Sequence, residues 1–233
     1  MTLTWVMFNL TGTLVDPTVM AQPLGDSAPD EELVQLALDD AIAQAMASTL
    51  SGASTPFSEL IEAGLRRRLR LAGREERGAA EALELMGTMP AYLETPRALE
   101  TLRGVGLRLA VLAQSSVAAA DGVLRFAGLR DRFELVLSAE ESGAYKPDPR
   151  PYRMALERTG ADAAAGEICH VSTYWWDVAG AKRAGLQTGW VARRERSLLD
   201  SVPAPDYTGR DLAEVADAIV AGMPAGGART SNF

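Results

Sequence analysis

The chain has 233 residues, 47% hydrophobic and 23% charged, with a formal net charge of −8. That length suits one α/β domain with a smaller insertion, and the acidic balance argues against nucleic acid as a partner. One cysteine, Cys169, excludes an intrachain disulfide and a cysteine metal cluster, no stretch reaches the roughly 20 apolar residues of a membrane span, and with no basic leader the profile predicts a cytoplasmic protein without a membrane partner.

Trp5–Phe8 is an unbroken apolar run that stops at Asn9. It predicts a central strand of a parallel sheet, with a Gly-punctuated loop at its carboxyl end, where open α/β sheets place their sites. A loop rich in Pro, Gly and Asp follows, to about Pro29. Asp30 opens a helical pattern that runs to about Leu50, with acidic residues suited to the helix dipole. A second helix follows residues 54–59 and carries Leu60, Ile61, Leu65, Leu69 and Leu71. A third spans 75–86. Three helices with no strand between them predict a helical cap over 18–89, inserted after the first strand.

From residue 89 the pattern alternates. Helices are predicted over 95–103, 117–127, 149–159, 177–184 and 211–220. Strands are predicted over 107–112, 135–137, 168–171 and 188–191, with an edge strand at Tyr207. This alternation predicts an α/β core of residues 1–17 and 90–222: a doubly wound, Rossmann-like parallel sheet with right-handed crossovers. The Gly-, Ala- and Ser-rich stretch 223–233 reads as a flexible tail.

Four places along the core carry candidate chemistry. They are Asn9-Leu-Thr-Gly-Thr-Leu14, the strand 109–116 ending in Gln114-Ser-Ser116, the segment 142–152 containing Lys146 and Tyr152, and the segment 168–181 containing Ser172, Tyr174 and Asp177. In this order they resemble the motifs of the haloacid dehalogenase superfamily, closest to its L-2-haloacid dehalogenase branch. The resemblance implies a hydrolase fold in which an Asp at position 9 forms a covalent ester. Here that position is Asn9, whose amide is a poor nucleophile. Thr11 stands where phosphatases carry an acid–base Asp, and a hydroxyl has no useful pKa near neutrality. Ala113, followed by Gln114, stands at the family's hydroxyl position; Ser115 is a neighbouring substitute, and a helix N-cap is the plainer reading of Ser115 and Ser116. Lys146 matches the family lysine that offsets charge at the site, and Tyr152 matches a dehalogenase tyrosine. Ser172, Trp176, Asp177, Gly180 and Ala181 match the fourth motif. Thr173 replaces a metal-binding Asp, and Tyr174 replaces an Asn that positions water.

The resemblance thus makes Asn9, Thr11, Lys146 and Asp177 the positions of the family's catalytic site. Gln114, Ser115, Tyr152, Ser172 and Tyr174 are candidate ligand contacts. No metal or cofactor is expected; Mg²⁺ has Asp177 as its one preserved ligand, and an Asp177–Lys146 ion pair is the stronger reading. Asp16 falls where the chain leaves for the cap. No Arg precedes Arg66, so the family's carboxylate-holding arginine has no counterpart, and Arg66–Arg70 read as a solvated face. Trp175 and Trp176 pack under the cap, or Trp175 lines a pocket. His170 and Cys169, adjacent on a strand, point to opposite faces; both read as core, with no acid placed beside the histidine.

Three functions stay open. The first is a pseudoenzyme that has lost covalent hydrolysis and binds a small anion or a partner in a pocket lined by Asn9, Lys146 and Asp177. The second is an active dehalogenase, phosphatase-like hydrolase or non-hydrolytic enzyme using Lys146, Asp177 and nearby Tyr or Ser groups. The third is a structural module, dimerising through the cap, whose cleft is filled by side chains.

Overall fold

The computed structural model describes residues 3–25 and 28–223. The expected tail lies outside the described residues from 224 onward.

Six strands form one parallel sheet: β1 (Trp5–Phe8), β2 (Arg108–Ala113), β3 (Leu135–Ser138), β4 (Ile168–Ser172), β5 (Gln187–Val191) and β6 (Tyr207–Gly209), in the order β3-β2-β1-β4-β5-β6. β1 is central and buried at every position, as a strand covered on both faces must be. Phe8 pairs with Val111 on one side and Val171 on the other. The chain turns one way from β1 to β2 and the other way to β4, so the switch point of the topology lies at the end of β1, at Asn9.

Helices α4 (Thr95–Gly104), α5 (Val117–Phe126), α6 (Pro149–Thr159), α7 (Trp175–Arg183) and α8 (Leu212–Gly222) connect the strands. Local chemistry starts them where they start. Ser116 Oγ accepts the Ala119 amide, Asp148 accepts the Arg150 amide ahead of Pro149, and Asp211 accepts the Glu214 amide. One sheet face buries Val6, Phe8, Val111 and Val171 under α4, α5 and α8; the other buries Met7, Leu112, Tyr152 and Leu186. Together with the strand pairing, this is the doubly wound architecture expected from the alternation.

Between β1 and α4 lie α1 (Ala28–Ser51), α2 (Phe57–Leu71) and α3 (Gly78–Glu84). Their apolar faces share a cluster that includes Val34, Leu38, Ile61, Leu65, Tyr174 and Trp176. α1 and α2 cross so closely that a Cβ on Gly64 would sit 2.4 Å from the Ala37 carbonyl oxygen. Two expectations change. Residues 17–24, read as loop, form a 3₁₀ helix, Pro17–Leu24, because Asp16 caps it by accepting the Thr18 amide and Pro17 presets its first turn. The third cap helix is shorter than 75–86, giving way to a 3₁₀ turn, Leu85–Thr88.

The cap joins the core through one narrow crossing. The Asp16 amide donates to the Pro90 carbonyl at 2.8 Å, the Tyr92 amide to Leu14 at 3.2 Å, and Val15 forms an antiparallel bridge with Ala91. Side-chain contacts also tie it down. Tyr145 donates its hydroxyl to the Thr55 carbonyl at 2.6 Å, and Glu140 accepts the Phe57 amide at 2.8 Å. On the opposite side Arg194, after β5, pairs with Asp39 of α1.

Candidate functional site

Asn9 leaves β1 with its amide donated to the Val171 carbonyl, which aims its side chain into the turn that follows. Nδ2 donates to the Thr11 carbonyl at 2.8 Å and to Thr13 Oγ1 at 3.1 Å. Oδ1 accepts from Lys146 Nζ at 3.0 Å. Both ends of the amide are therefore engaged, and Gly12, at φ +78°, takes the left-handed conformation that closes the turn.

Lys146 is fully buried beneath Asn9. Its three ammonium protons have three acceptors: Asn9 Oδ1, the Leu112 carbonyl at 3.0 Å and Asp177 Oδ2 at 2.8 Å. Its peptide is clamped by Gln114, which accepts the Lys146 amide at 3.0 Å and donates to its carbonyl at 3.1 Å. Asp177, in the first turn of α7, also accepts the Tyr152 hydroxyl at 2.6 Å. His170 Nε2 lies 3.0 Å from the same Oδ2 that faces Lys146, though off the direction of an aligned hydrogen bond.

Burial alone would raise the Asp177 carboxyl. His170 beside it and the Lys146 ammonium with its hydrogen bond reverse this and hold it well below the usual carboxylate range. Burial pushes the Lys146 ammonium down, against the pull of Asp177. The Tyr152 phenol is pushed up by burial and by the Asp177 charge, so it stays a hydrogen-bond donor.

Above this layer, between sheet and cap, lies a small cavity. Its polar lining is Asn9, Thr11, Gln114, Ser115 and Tyr174; its apolar lining is Leu38, Ile42, Phe57 and Met86 from the cap, with Leu10, Ala113 and Trp176 from the core. The space open to the centres of water-sized spheres is about 30 Å³, above the ~10–15 Å³ that one water requires. No charged side chain lines it.

The predicted residues thus divide into two layers. Asn9, Thr11, Gln114, Ser115 and Tyr174 reach the cavity. Lys146 and Asp177 do not line it, contrary to the expected lining; the Asn9 side chain stands over Lys146, and Lys146 over Asp177. Tyr152 and Ser172, expected as ligand contacts, are also buried below: Tyr152 is spent on Asp177, and Ser172 Oγ accepts the Tyr174 amide at 3.2 Å. His170 corrects a second expectation, since an acid does lie beside it. Strand spacing could not reveal this, because Asp177 arrives from the next helix. Trp176 lines the cavity, and Trp175 only packs against the cap cluster. The apolar lining is not legible in the sequence. Helical periodicity marks Leu38 and Ile42 as buried without saying what they face.

The donor set does not fit Mg²⁺. Asp177 is the one carboxylate at the floor, and both its oxygens are already faced by Lys146, His170 and Tyr152. Among the described residues no group of three or more His, Cys, Asp or Glu is placed to hold a metal ion. Nor does the cap offer a free arginine to the cavity among the described residues: Arg66 pairs with Glu62, Arg67 and Arg68 with Asp40, Arg70 with Glu76, Arg74 with Asp30 and Arg77 with Glu75. No helix among the described residues is long and apolar enough to cross a membrane.

Comparison with known proteins agrees with this frame. The chain is 29% identical over 215 residues to (S)-2-haloacid dehalogenase 2 of Pseudomonas sp. strain CBS-3, covering 90% of this chain and 93% of that one. It is 36% identical over 126 residues to the (S)-2-haloacid dehalogenase of Pseudomonas sp. strain YL, a match spanning only 54% of this chain and 53% of that relative. The structure superposes on L-2-haloacid dehalogenase from Xanthobacter autotrophicus, solved with chloropropionic acid covalently bound, with a TM-score of 0.84 at 23% identity, over 95% of this chain and all of that one. Residues 4–185 match the family model described as haloacid dehalogenase-like hydrolase. With that match spanning most of its length, the chain belongs to the haloacid dehalogenase-like hydrolase family.

Proposed function

We propose that this protein keeps the family's frame without its covalent hydrolysis, and holds a small organic acid non-covalently between cap and sheet. Asn9 carries this reading. A carboxamide stands at the head of β1, with both its oxygen and its nitrogen engaged, and no carboxylate lines the cavity. A carboxamide does not attack carbon or phosphorus as a carboxylate does. Asp177 does not take over, since it lies below the cavity with both its oxygens contacted.

The same substitution favours binding of an anion. An Asp at position 9 would set a negative charge against an incoming carboxylate; Asn9 sets none. The apolar lining residues suit a short carbon chain, and Thr11, Ser115 and Tyr174 in the same lining suit a carboxylate head. Among the alternatives, active hydrolysis draws its support from the names of the dehalogenase relatives.

The test uses the purified protein with (S)-2-chloropropionate. Calorimetry is expected to show binding, with no chloride release and no ester adduct in the intact mass. Chloride release over many turnovers would overturn the reading. Asn9→Asp serves as the comparison: it restores a carboxylate against Lys146, and chloride release or an adduct confined to that variant locates the loss of chemistry at this residue.

A further inference from the structure

We infer that Arg193, Arg194 and Glu195 form a strap that fastens the cap to the sheet, with the Arg194–Asp39 ion pair as the catch that parts when the cap lifts. The inference concerns how the cap is held and does not depend on what the cavity holds.

The three residues are consecutive, just after β5, and they grip three different elements. Arg193 Nη2 donates to Glu94 Oε1 at 2.6 Å, and its guanidinium lies 3.6 Å from the centre of the Tyr92 ring. Tyr92 is part of the crossing itself, since its amide donates to the Leu14 carbonyl. Arg194 reaches the other way, to α1, and takes both carboxylate oxygens of Asp39, Oδ1 at 2.7 Å, the paired geometry that gives arginine its directional hold. Asp39 adjoins Leu38, and Leu38 and Ile42 line the cavity. Glu195 Oε2 accepts the Trp175 amide at 3.3 Å. Trp175 opens α7, whose own cap residue, Tyr174, makes no side-chain bond to the helix, so Glu195 satisfies that orphan donor from outside. Asp177 stands in the same turn. One short segment thus ties together the crossing, the cap and the helix that carries Asp177.

The fastenings differ in how they yield. Arg193 sits over Tyr92 with its Nε buried, and Tyr145, which holds the α1–α2 loop, is 7% exposed. These two serve as pivots. The Arg194 and Asp39 side chains are 32% and 40% exposed. An ion pair so exposed is weak and is screened by dissolved salt. It is the first to part, and its parting lets α1 lift Leu38 and Ile42 while the pivots hold.

The test sets a thiol in the cavity lining with Ile42→Cys. The native Cys169 is fully buried, and burial pushes its thiol up, so it stays unreactive. Labelling by neutral iodoacetamide is timed by intact mass, with folding checked by circular dichroism, in Ile42→Cys alone and combined with Arg194→Gln, with Asp39→Asn and with both. Each single change is expected to speed labelling about twofold to fivefold at low salt, and the two together no further than one. The two changes remove opposite charges, so a mere effect on thiol ionisation moves the rates in opposite directions. Sodium chloride at about 0.5 M should speed the protein with the strap intact and leave Arg194→Gln unmoved. Should Ile42→Cys not fold, Leu38→Cys reports from the same lining. Equal rates in all four proteins, rates that move in opposite directions, or a salt effect that survives Arg194→Gln each overturn the inference.

Discussion

Lys146 Nζ and Asp177 Oδ2 meet 2.8 Å apart with both side chains fully buried. Neither charge has water to fall back on, so the pair stands or falls together. Removing one member of a buried pair typically costs about 3–5 kcal/mol, because the survivor is left uncompensated. Asp177→Asn is therefore expected to lose stability on that scale, measured by urea denaturation at neutral pH. A loss under about 1 kcal/mol, the size seen for surface pairs, would show that the two charges are not interdependent.

The same carboxylate gives the fold an acid limit. Its folded pKa lies below its unfolded one, so its contribution is complete above the ordinary Asp value of about 3.9 and is lost as pH falls from there. The urea midpoint should accordingly decline below about pH 4, more steeply in wild type than in Asp177→Asn. Parallel acid limbs in the two proteins would contradict the assignment.

Tyr145 and Glu140 hold the α1–α2 loop against the core. Tyr145→Phe deletes the bond to the Thr55 carbonyl and the contact with Glu140 at 3.2 Å. A cost of about 1 kcal/mol is expected, concentrated locally. Hydrogen exchange should accelerate at the Phe57 amide and across 53–57, while β1 and β4 stay protected. Uniform acceleration would mean that the latch is not a local device.

Gly180 faces the back of the site. An added Cβ would meet Pro147 Cβ at 2.6 Å and the Tyr152 hydroxyl at 2.7 Å. Gly180→Ala must therefore push Tyr152 off Asp177 or shift α7. Overpacking of this kind costs about 1–3 kcal/mol, visible as a lower melting temperature. The near-ultraviolet circular dichroism of the tyrosines should change with it, and a silent substitution would show that α7 has slack.

Much of this molecule is legible in its sequence, and the limit of legibility has a physical origin. Strand positions, the capping residues and the alternation around 89–222 are written in local chemistry, which acts over a few residues. Asn9, Lys146 and Asp177 could be placed together by resemblance, and the register of β1 with β2 and β4 does bring them together. What spacing could not show is depth. Tyr152 and Ser172 lie below the cavity and Tyr174 lines it, yet Ser172 and Tyr174 are only two residues apart. The turn from β4 into α7 decides their fates. His170 shows the same limit: its neighbour Asp177 is seven positions on and reaches it only because α7 folds back over the strand. The 3₁₀ helix Pro17–Leu24 was hidden for the opposite reason, since its Pro and Asp content also suits a loop and only the Asp16 cap decides between them.

The single crossing between Val15 and Ala91 makes everything from Pro17 to Met89 one excursion that returns to its starting point. Because departure and return are adjacent, the strand order is indifferent to how long that excursion is or how it is folded. A lid of another size or shape could be spliced in between the same two residues without rethreading the sheet. The covalent path through the sheet is therefore separate from the path through the helices above it, and among the described residues only side-chain contacts such as Tyr145 with Thr55 and Arg194 with Asp39 couple the two.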